Sequence, residues 1–486
     1  MTDDGVLLPP AAMAAVDRAA MAAGRPGPWL MENAGRAVSR AITARFAPRP
    51  VLVLCGPGNN GGDGFVVARQ LRRAGWPVRV ACLVERAALN GDAAWAASAW
   101  EGPIEPVGET GLAGAELVVD AMFGAGLARP LEGTAAAVVT ALGDRPVVAV
   151  DVPSGVDGAS GAVLGAAPSA RLTVTFCRLK PGHLLLPGRL RCGETVLADI
   201  GIPDACVAAH DQSLRVNAPA LWGHLLPRRT PEGHKYRFGH ALVAGGPDRT
   251  TGAARLAARA ALRAGAGLVS VACTPDALPV YAAHLTTVMT KPVADVAALQ
   301  GLLADPRYNA LLVGPGAGVG EGTRNTVGAL LATGRATVLD ADALTSFADR
   351  RGELLKRLHE RVVLTPHDGE FARLFDAKGD RLGRALAASR ESGAVVLLKG
   401  GDTVVAAPDG RAAIQPAAPP WLATAGTGDV LAGIVLGLLA QGVPAFEAAA
   451  AGVWLHAAAA ERSGAGMIAE DMSEALPNAL ARALAA

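Results

Sequence analysis

Two glycine-rich turns and a few carboxylates carry the residue types that can do chemistry in this chain. The first turn, LVLCGPGNNGGDGF at residues 52–65, places Gly56, Gly58 and Gly61 in a G-x-G-x-x-G spacing behind an apolar run. Its backbone amides point at a helix start, an anion site able to hold a diphosphate; the plainer reading is a βα turn with no ligand. Asn59, Asn60 and Asp63 crowd this turn. Short polar side chains at a strand's carboxyl end coordinate a hard cation or grip a polar ring, and a redox site needs neither. Two more apolar runs end in acids, Asp120 in VVDAMFGAGLARP and Asp151 in AVDVPSG, and Glu85 stands where a ribose-binding acid is expected. Of these carboxylates Asp151 is the first choice to shuttle a proton and Asp63 the second. Lys180 reads as an exposed strand-end lysine.

The second turn, ATAGTGDVLAG at residues 423–433, runs straight into an apolar helix. The amides of Gly426, Thr427 and Gly428 can receive an oxyanion or a phosphoryl group in transfer. Asp429 is then the base beside a substrate hydroxyl, or else a first-turn acid that complements the helix dipole. No G-x-x-x-x-G-K-[ST] occurs, which excludes a P-loop kinase. LLKGGDT (397–403) ends a strand with Lys399, and LLVGPGAG (311–318) is another glycine-rich strand end. His367 in LTPHDGEF reads in isolation as a structural surface histidine. Asp340 and Asp342 in LDADAL either hold magnesium through water or cap the next helix.

These residues need a scaffold, and the composition supplies one. A chain of 486 residues exceeds one ordinary core, and 51% hydrophobic content, rich in alanine, suits packed α/β layers. A net charge of +1 leaves no electrostatic footprint for nucleic acid or an anionic membrane, which points to small-molecule partners. The six cysteines show neither C-x-x-C nor metal spacing, which fits a reduced, cytoplasmic setting. The start of the chain carries Asp3 and Asp4 where a signal peptide is basic. The stretch 430–446 is interrupted by glycines and a proline and is expected as a buried helix, not a membrane span.

From residue 51 onward, short β-branched runs such as VLVLC, PVRVACLV, ELVVDAMFG and PVVAVDVPSG alternate with alanine-rich helical stretches. Continuous apolar strands separated by helices predict a parallel sheet covered on both faces, with the ligand at the strands' carboxyl ends. The rhythm breaks at residues 216–232 and resumes with HALVAGG, GLVSVACT, ALLVGPG, ATVLDAD, RVVLTPH and AVVLLKGG. The expected organisation is α/β throughout, in two unlike domains, residues 1–217 and 218–486.

In the first half, MENAG, GNNGGDG, DAMFGAGLARP, DVPSG and TFCRLKPGHLLLPGR recur in an order that resembles the NAD(P)HX epimerase domain. The resemblance implies a Rossmann-like three-layer α/β/α domain. It implies that Asn59, Asn60, Gly61, Gly62 and Asp63, with Gly124, Ala125, Gly126, Leu127, Ala128, Arg129 and Pro130, hold a hydrated nicotinamide dinucleotide, Asp151 touching the same ligand. It also implies potassium (K+) on Asn60, Asp120 and Ser154.

In the second half, HKYRFGHALVAGG, TTGAARLAARAALRAGAGLVSV, GPGAG, LDADAL, LTPHDGEFARL, KGGDT and TAGTGDVLAGIVLGLLAQG resemble the ribokinase-like superfamily, and more closely its ADP- or ATP-dependent NAD(P)H-hydrate dehydratase branch. This implies a ribokinase-like α/β/α domain in which Ala253, Gly316, His367 and Asp429 contact the hydrate. Lys399, Gly400, Gly401, Asp402 and Thr403, with Gly428, would contact the adenine nucleotide, used with Mg2+. The chain departs from the family with Tyr236 after His-Lys and with Pro419, Pro420 and Trp421 ahead of the anion hole.

Joined, the halves are similar to a bifunctional NAD(P)H-hydrate repair enzyme, isomerase and lyase in one chain, expected in the cytoplasm as a homo-oligomer. The competing reading is a small-molecule alcohol kinase fused to a dinucleotide-sensing domain.

Overall fold

The computed structural model describes residues 5–229, 231 and 234–485. Asp3 and Asp4, and Thr230 and Glu232 at the end of the expected break, lie outside the described residues. The chain divides into two compact units between Leu214 and Arg215.

The first unit is built on seven strands: β1 (Val51–Cys55), β2 (Val78–Cys82), β3 (Ile104–Pro106), β4 (Leu117–Ala121), β5 (Val147–Val150), β6 (Leu172–Phe176) and β7 (Glu194–Ala198). They lie in the order β3-β2-β1-β4-β5-β6-β7, and every pair is parallel. Side chains of a strand alternate between faces, and β1 shows it: Val51, Val53 and Cys55 enter one apolar cluster, Leu52 and Leu54 another. Helices Pro10–Ala22, Gly27–Thr43 and Asn59–Arg73 cover the first face, and Gly133–Ala141 covers the second through Val138 and Val139. This is the expected three-layer arrangement. The strand order reverses between β1 and β4, which opens a crevice beyond their carboxyl ends. Leu54 of β1 is level with Asp120 of β4, and Asp120 with Ala149 of β5, so all three strand ends reach the same height.

The second unit contains β8 (Leu214–Val216), β9 (His240–Ala244), β10 (Leu268–Cys273), β11 (Met289–Pro292), β12 (Tyr308–Val313), β13 (Ala336–Leu339), β14 (Val362–Leu364), β15 (Val395–Leu398), β16 (Val404–Ala406) and β17 (Ala412–Ile414). Their order is β11-β10-β9-β12-β13-β14-β15-β16-β17-β8. The run from β11 to β15 is parallel, as the βα alternation predicts, but β15, β16 and β17 pair antiparallel. Only a short turn separates β15 from β16, too little chain for a parallel crossover, so the strand must fold back.

Alanine and glycine dominate the helices here for a packing reason. A Cβ on Gly433 would lie 2.2 Å from Ala257 O, and one on Gly437 would lie 2.4 Å from Ala261 O. Helices Thr251–Arg263 and Thr427–Ala440 therefore meet backbone to backbone, within one apolar cluster shared with helices Ala445–Ser463 and Ala469–Ala485. The apolar stretch 430–446 is thus a buried helix, a turn and the start of another helix, and among the described residues no helix is long and apolar enough to cross a membrane. All six cysteines are free and buried.

Candidate active sites at the strand ends

In the first unit the turn after β1 leads into helix Asn59–Arg73. Its glycines answer to close packing: a Cβ on Gly56 would lie 1.7 Å from Met122 O, and one on Gly61 would lie 1.9 Å from Gly56 O. Helix and turn can approach this closely only without side chains. With its amide oriented to satisfy both ends, Asn60 donates to Val150 O (3.2 Å) and accepts from Gly124 N (3.3 Å), which ties the three strand ends together.

Asp151 follows β5 with φ 67°, a left-handed conformation uncommon outside glycine and frequent at functional sites. Its Oδ1 accepts from Lys180 Nζ (2.7 Å) and Thr175 Oγ1 (2.9 Å), and its Oδ2 from Ala125 N (2.8 Å). Burial alone would raise its pKa; the Lys180 ammonium and these hydrogen bonds outweigh burial and bring it down to about 2. His183 Nε2 lies 2.8 Å from Asp151 O, and burial pushes this imidazole down to about 4, so it is neutral. Lys180 is not the exposed lysine expected from sequence. Its side chain is 3% accessible, and it is held by Asp151, by Thr175 Oγ1 (2.8 Å) and by Phe176 O (3.3 Å). The carboxylate supplies the counter-charge that a buried ammonium requires.

A cavity of about 670 Å³ opens over these groups. Asn59, Asn60, Asp63, Gly124, Ala125, Gly126, Leu127, Ala128, Arg129, Asp151 and Lys180 line it. Of the other expected contacts, Gly61 and Gly62 are buried in helix packing, and Pro130 is exposed and not part of this wall. Glu85 is exposed and also lies off the wall. Asp63 faces the cavity with its carboxyl raised well above the ordinary value, by burial first and then by Asp151 and Asp17. Asp17 on helix Pro10–Ala22 also lines the cavity, and no sequence signal marked it.

Beneath the wall lies Asp120, fully buried. Its Oδ1 accepts from Ser154 Oγ (2.6 Å) and Met122 N (3.3 Å), and its Oδ2 from Ser154 N (2.7 Å). No basic side chain is paired with it among the described residues. Asp120 and Ser154 offer oxygen atoms at a buried negative charge and Asn60 offers another at the junction of the same strand ends, donor types that suit a hard alkali cation.

In the second unit helix Thr427–Ala440 begins after Gly426, which has φ 85°. Asp429 stands in its first turn, and its carboxyl is pushed up to about 6, by burial first and by Asp340 and Asp342, with Lys399 opposing. Lys399 follows β15; its Nζ donates to Asp340 Oδ1 (2.8 Å) and lies 3.9 Å from Glu370 Oε2. A Cβ on Gly428 would sit 3.7 Å from that ammonium, so Lys399 lies over the opening of the helix. Burial pulls Lys399 down, but Asp340 and Glu370 more than offset it and hold it charged.

Asp340 is committed to Lys399 and Thr365 Oγ1 (2.8 Å), and its carboxylate does not cap the helix after it; Asp342 Oδ2 accepts from Gly318 N (2.8 Å) and so fixes the glycine loop. His367 caps helix Asp368–Leu374, its Nδ1 accepting from Gly369 N (2.9 Å) and Glu370 N (3.2 Å) while the ring stays 56% exposed. Gly316 accepts at its carbonyl from Thr250 Oγ1 (2.6 Å) and packs beside Ala253.

Gly400, Gly401, Asp402 and Thr403 form the β15–β16 turn, closed by Thr403 Oγ1 on Gly400 O (2.8 Å). Asp402, expected at the nucleotide, is buried and paired with Arg381 Nε at 2.8 Å. Pro419, Pro420 and Trp421 form a braced turn, Trp421 Nε1 donating to Ala460 O (2.9 Å) and Thr427 Oγ1 to Leu422 O (2.9 Å), so the departure leaves the Gly-Thr-Gly turn well anchored. Tyr236 is exposed, with Lys235 over its ring.

Known proteins place both halves. A family model described as YjeF-related protein N-terminus matches residues 28–182, and one described as NAD(P)H-hydrate dehydratase matches residues 241–478. The chain is 40% identical to the bifunctional NAD(P)H-hydrate repair enzyme Nnr of Moorella thermoacetica, over 94% of this chain and 92% of that protein. It is 38% identical to the protein of the same name from Salinibacter ruber, over 99% of this chain and 98% of the other. Among solved structures, a ribokinase-like superfamily protein from Enterococcus faecalis superposes with a TM-score of 0.51 at 25% identity, over 56% of this chain and 97% of that one.

Proposed function

The chain belongs to the bifunctional NAD(P)H-hydrate repair enzymes, and from that membership we propose how its residues divide the work. The first unit interconverts the C6 epimers of hydrated NADH and NADPH, and the second dehydrates one epimer back to the reduced dinucleotide. Joining the two leaves neither epimer to accumulate.

In the first unit the 670 Å³ cavity takes the hydrated nicotinamide half, with Asn59, Asn60 and residues 124–129 around it. Asp151 has both oxygens engaged and stays ionised. Its task is a fixed negative charge against the cationic ring formed when the C6–O bond breaks, and the proton passes instead to Asp63. Potassium at Asn60, Asp120 and Ser154 would neutralise the buried Asp120 and stiffen the junction of the strand ends.

In the second unit the observation that carries the reading is Asp429 at the mouth of a helix, between the amides of Gly426 to Gly428 and the Lys399 ammonium. Asp429 takes the proton of the C6 hydroxyl as the phosphoryl group of ADP or ATP moves onto it, and the amides and Lys399 hold the charge of that group. The ring nitrogen then expels phosphate, and loss of a C5 proton restores the dihydropyridine. Magnesium entering with the nucleotide would supply positive charge against its phosphates, beside the Lys399 ammonium. The competing alcohol kinase predicts a stable phosphorylated product.

The test is to give the protein a racemic NADPH hydrate with ADP or ATP and magnesium, and to follow the near-ultraviolet absorbance of reduced nicotinamide. Full recovery is expected, halved at early times in Asp151→Ala and abolished in Asp429→Ala. No recovery with either nucleotide refutes the dehydratase assignment.

A further inference from the structure

Helix Pro10–Ala22 turns Pro10, Met13, Ala14, Asp17 and Met21 toward the epimerase cavity. Their spacing is that of one helical face, and Asp17 is the one charged member of this stripe. Asp17 is half-buried in this largely apolar stripe, and a carboxylate that loses part of its hydration there costs free energy unless something compensates it. Neither Asp17 nor Asp63 has a hydrogen-bond or ion-pair partner among the described residues. Packing alone would place leucine or methionine at this position.

The chemistry supplies a reason for it. Epimerisation at C6 must serve both faces of the ring. On one face an acid protonates the hydroxyl as the C6–O bond breaks and the nitrogen lone pair forms a C6=N bond. On the other face water adds to C6 and gives its proton to a base. One carboxyl cannot reach both faces of a held ring, and Asp151 is occupied on both oxygens. We propose that Asp17 is the second proton-transfer residue of the epimerase site, paired with Asp63 across the C6 centre.

In one direction Asp17 donates and Asp63 accepts, which leaves the pair poised for the reverse direction, and exchange of protons with solvent returns it for another passage in the same direction. The inference rests on reading the first unit as an epimerase. Burial pushes Asp17 up to about 6, with Lys180 opposing and Asp151 adding to the rise, so both of its forms are populated near neutrality. Facing it are Asp63, Asp151, Lys180 and Cys177, with Arg18 on its own helix; Asp92 and Arg129 stand elsewhere on the cavity wall.

The experiment uses the full chain with one isolated epimer of NADH hydrate and no nucleotide, so that dehydration does not run, and follows the other epimer chromatographically before spontaneous exchange contributes. Asp17→Asn is expected to slow epimerisation by about 100-fold or more, Asp17→Glu to keep a measurable part, and both to bind the hydrate as the wild type does. The wild-type pH–rate profile should break near pH 6, and Asp17→Asn should lose that break. Wild-type rate and profile in Asp17→Asn overturn the inference, as does equal loss in both variants together with lost hydrate binding, which marks a structural role. A wild-type protein that does not epimerise overturns the reading of the unit instead.

Discussion

Replacing Lys180 with methionine removes the one ammonium that neutralises Asp151 while keeping most of the side-chain volume. Asp151 lies at about 2, well below the ordinary aspartate value of 3.8. At about 1.4 kcal/mol per pKa unit, this corresponds to roughly 2.5 kcal/mol of stability at neutral pH. The variant forfeits that gain and leaves a buried carboxylate with hydrogen bonds from Thr175 Oγ1 and Ala125 N but no counter-charge, so a loss of about 3–5 kcal/mol is expected. The sign of the pH dependence follows. In the wild type the folded pKa lies below the unfolded one, so the contribution is complete above about pH 4 and fades as pH falls toward 2. In Lys180→Met burial, the largest influence, is opposed only by the hydrogen bonds from Ala125 and Thr175 and by His183, and the folded pKa rises above the unfolded value, so acidification stabilises the variant relative to the wild type. Urea unfolding followed by circular dichroism at pH 7.5 and pH 5 measures both effects. Wild-type stability at pH 7.5, or a deficit that does not shrink at pH 5, would refute the assignment of Lys180 as the counter-charge.

Two further outcomes are expected. Asp429 acts as a base, so nucleotide-dependent dehydration should fall below about pH 6, where its carboxyl protonates, and Asp429→Asn should remove that limb along with about 100-fold or more of the rate while epimerisation persists. In Gly433→Val the added Cβ would lie 2.2 Å from Ala257 O, so the helix pair must separate; a loss of about 1–3 kcal/mol, read as a lower melting temperature, checks the backbone-to-backbone contact.

The strand ends were legible because they rest on local rules. An apolar run that closes on glycine or aspartate marks where a parallel strand stops, and β1, β4 and β5 end where LVLC, VVDA and VVAV predict. Asn59, Asn60, Asp63 and Asp151 reach one cavity for the same reason: strands in register end level, and the order reverses beside them. The antiparallel return of β16 and β17 was not legible, since their few residues carry no periodicity to read.

Sequence alone determined the two α/β units, the glycine turns and the acids at their rims, because backbone geometry and strand burial depend on neighbours in the chain. Only the tertiary structure decided which charges meet. It joined Lys180 to Asp151 across 29 residues and Lys399 to Asp340 across 59, it spent Asp402 on Arg381, and it turned Asp17 from an alanine-rich helix into the cavity. The protonation of each acid follows from those meetings, since burial and the nearest charge set a pKa and neither is encoded in local spacing.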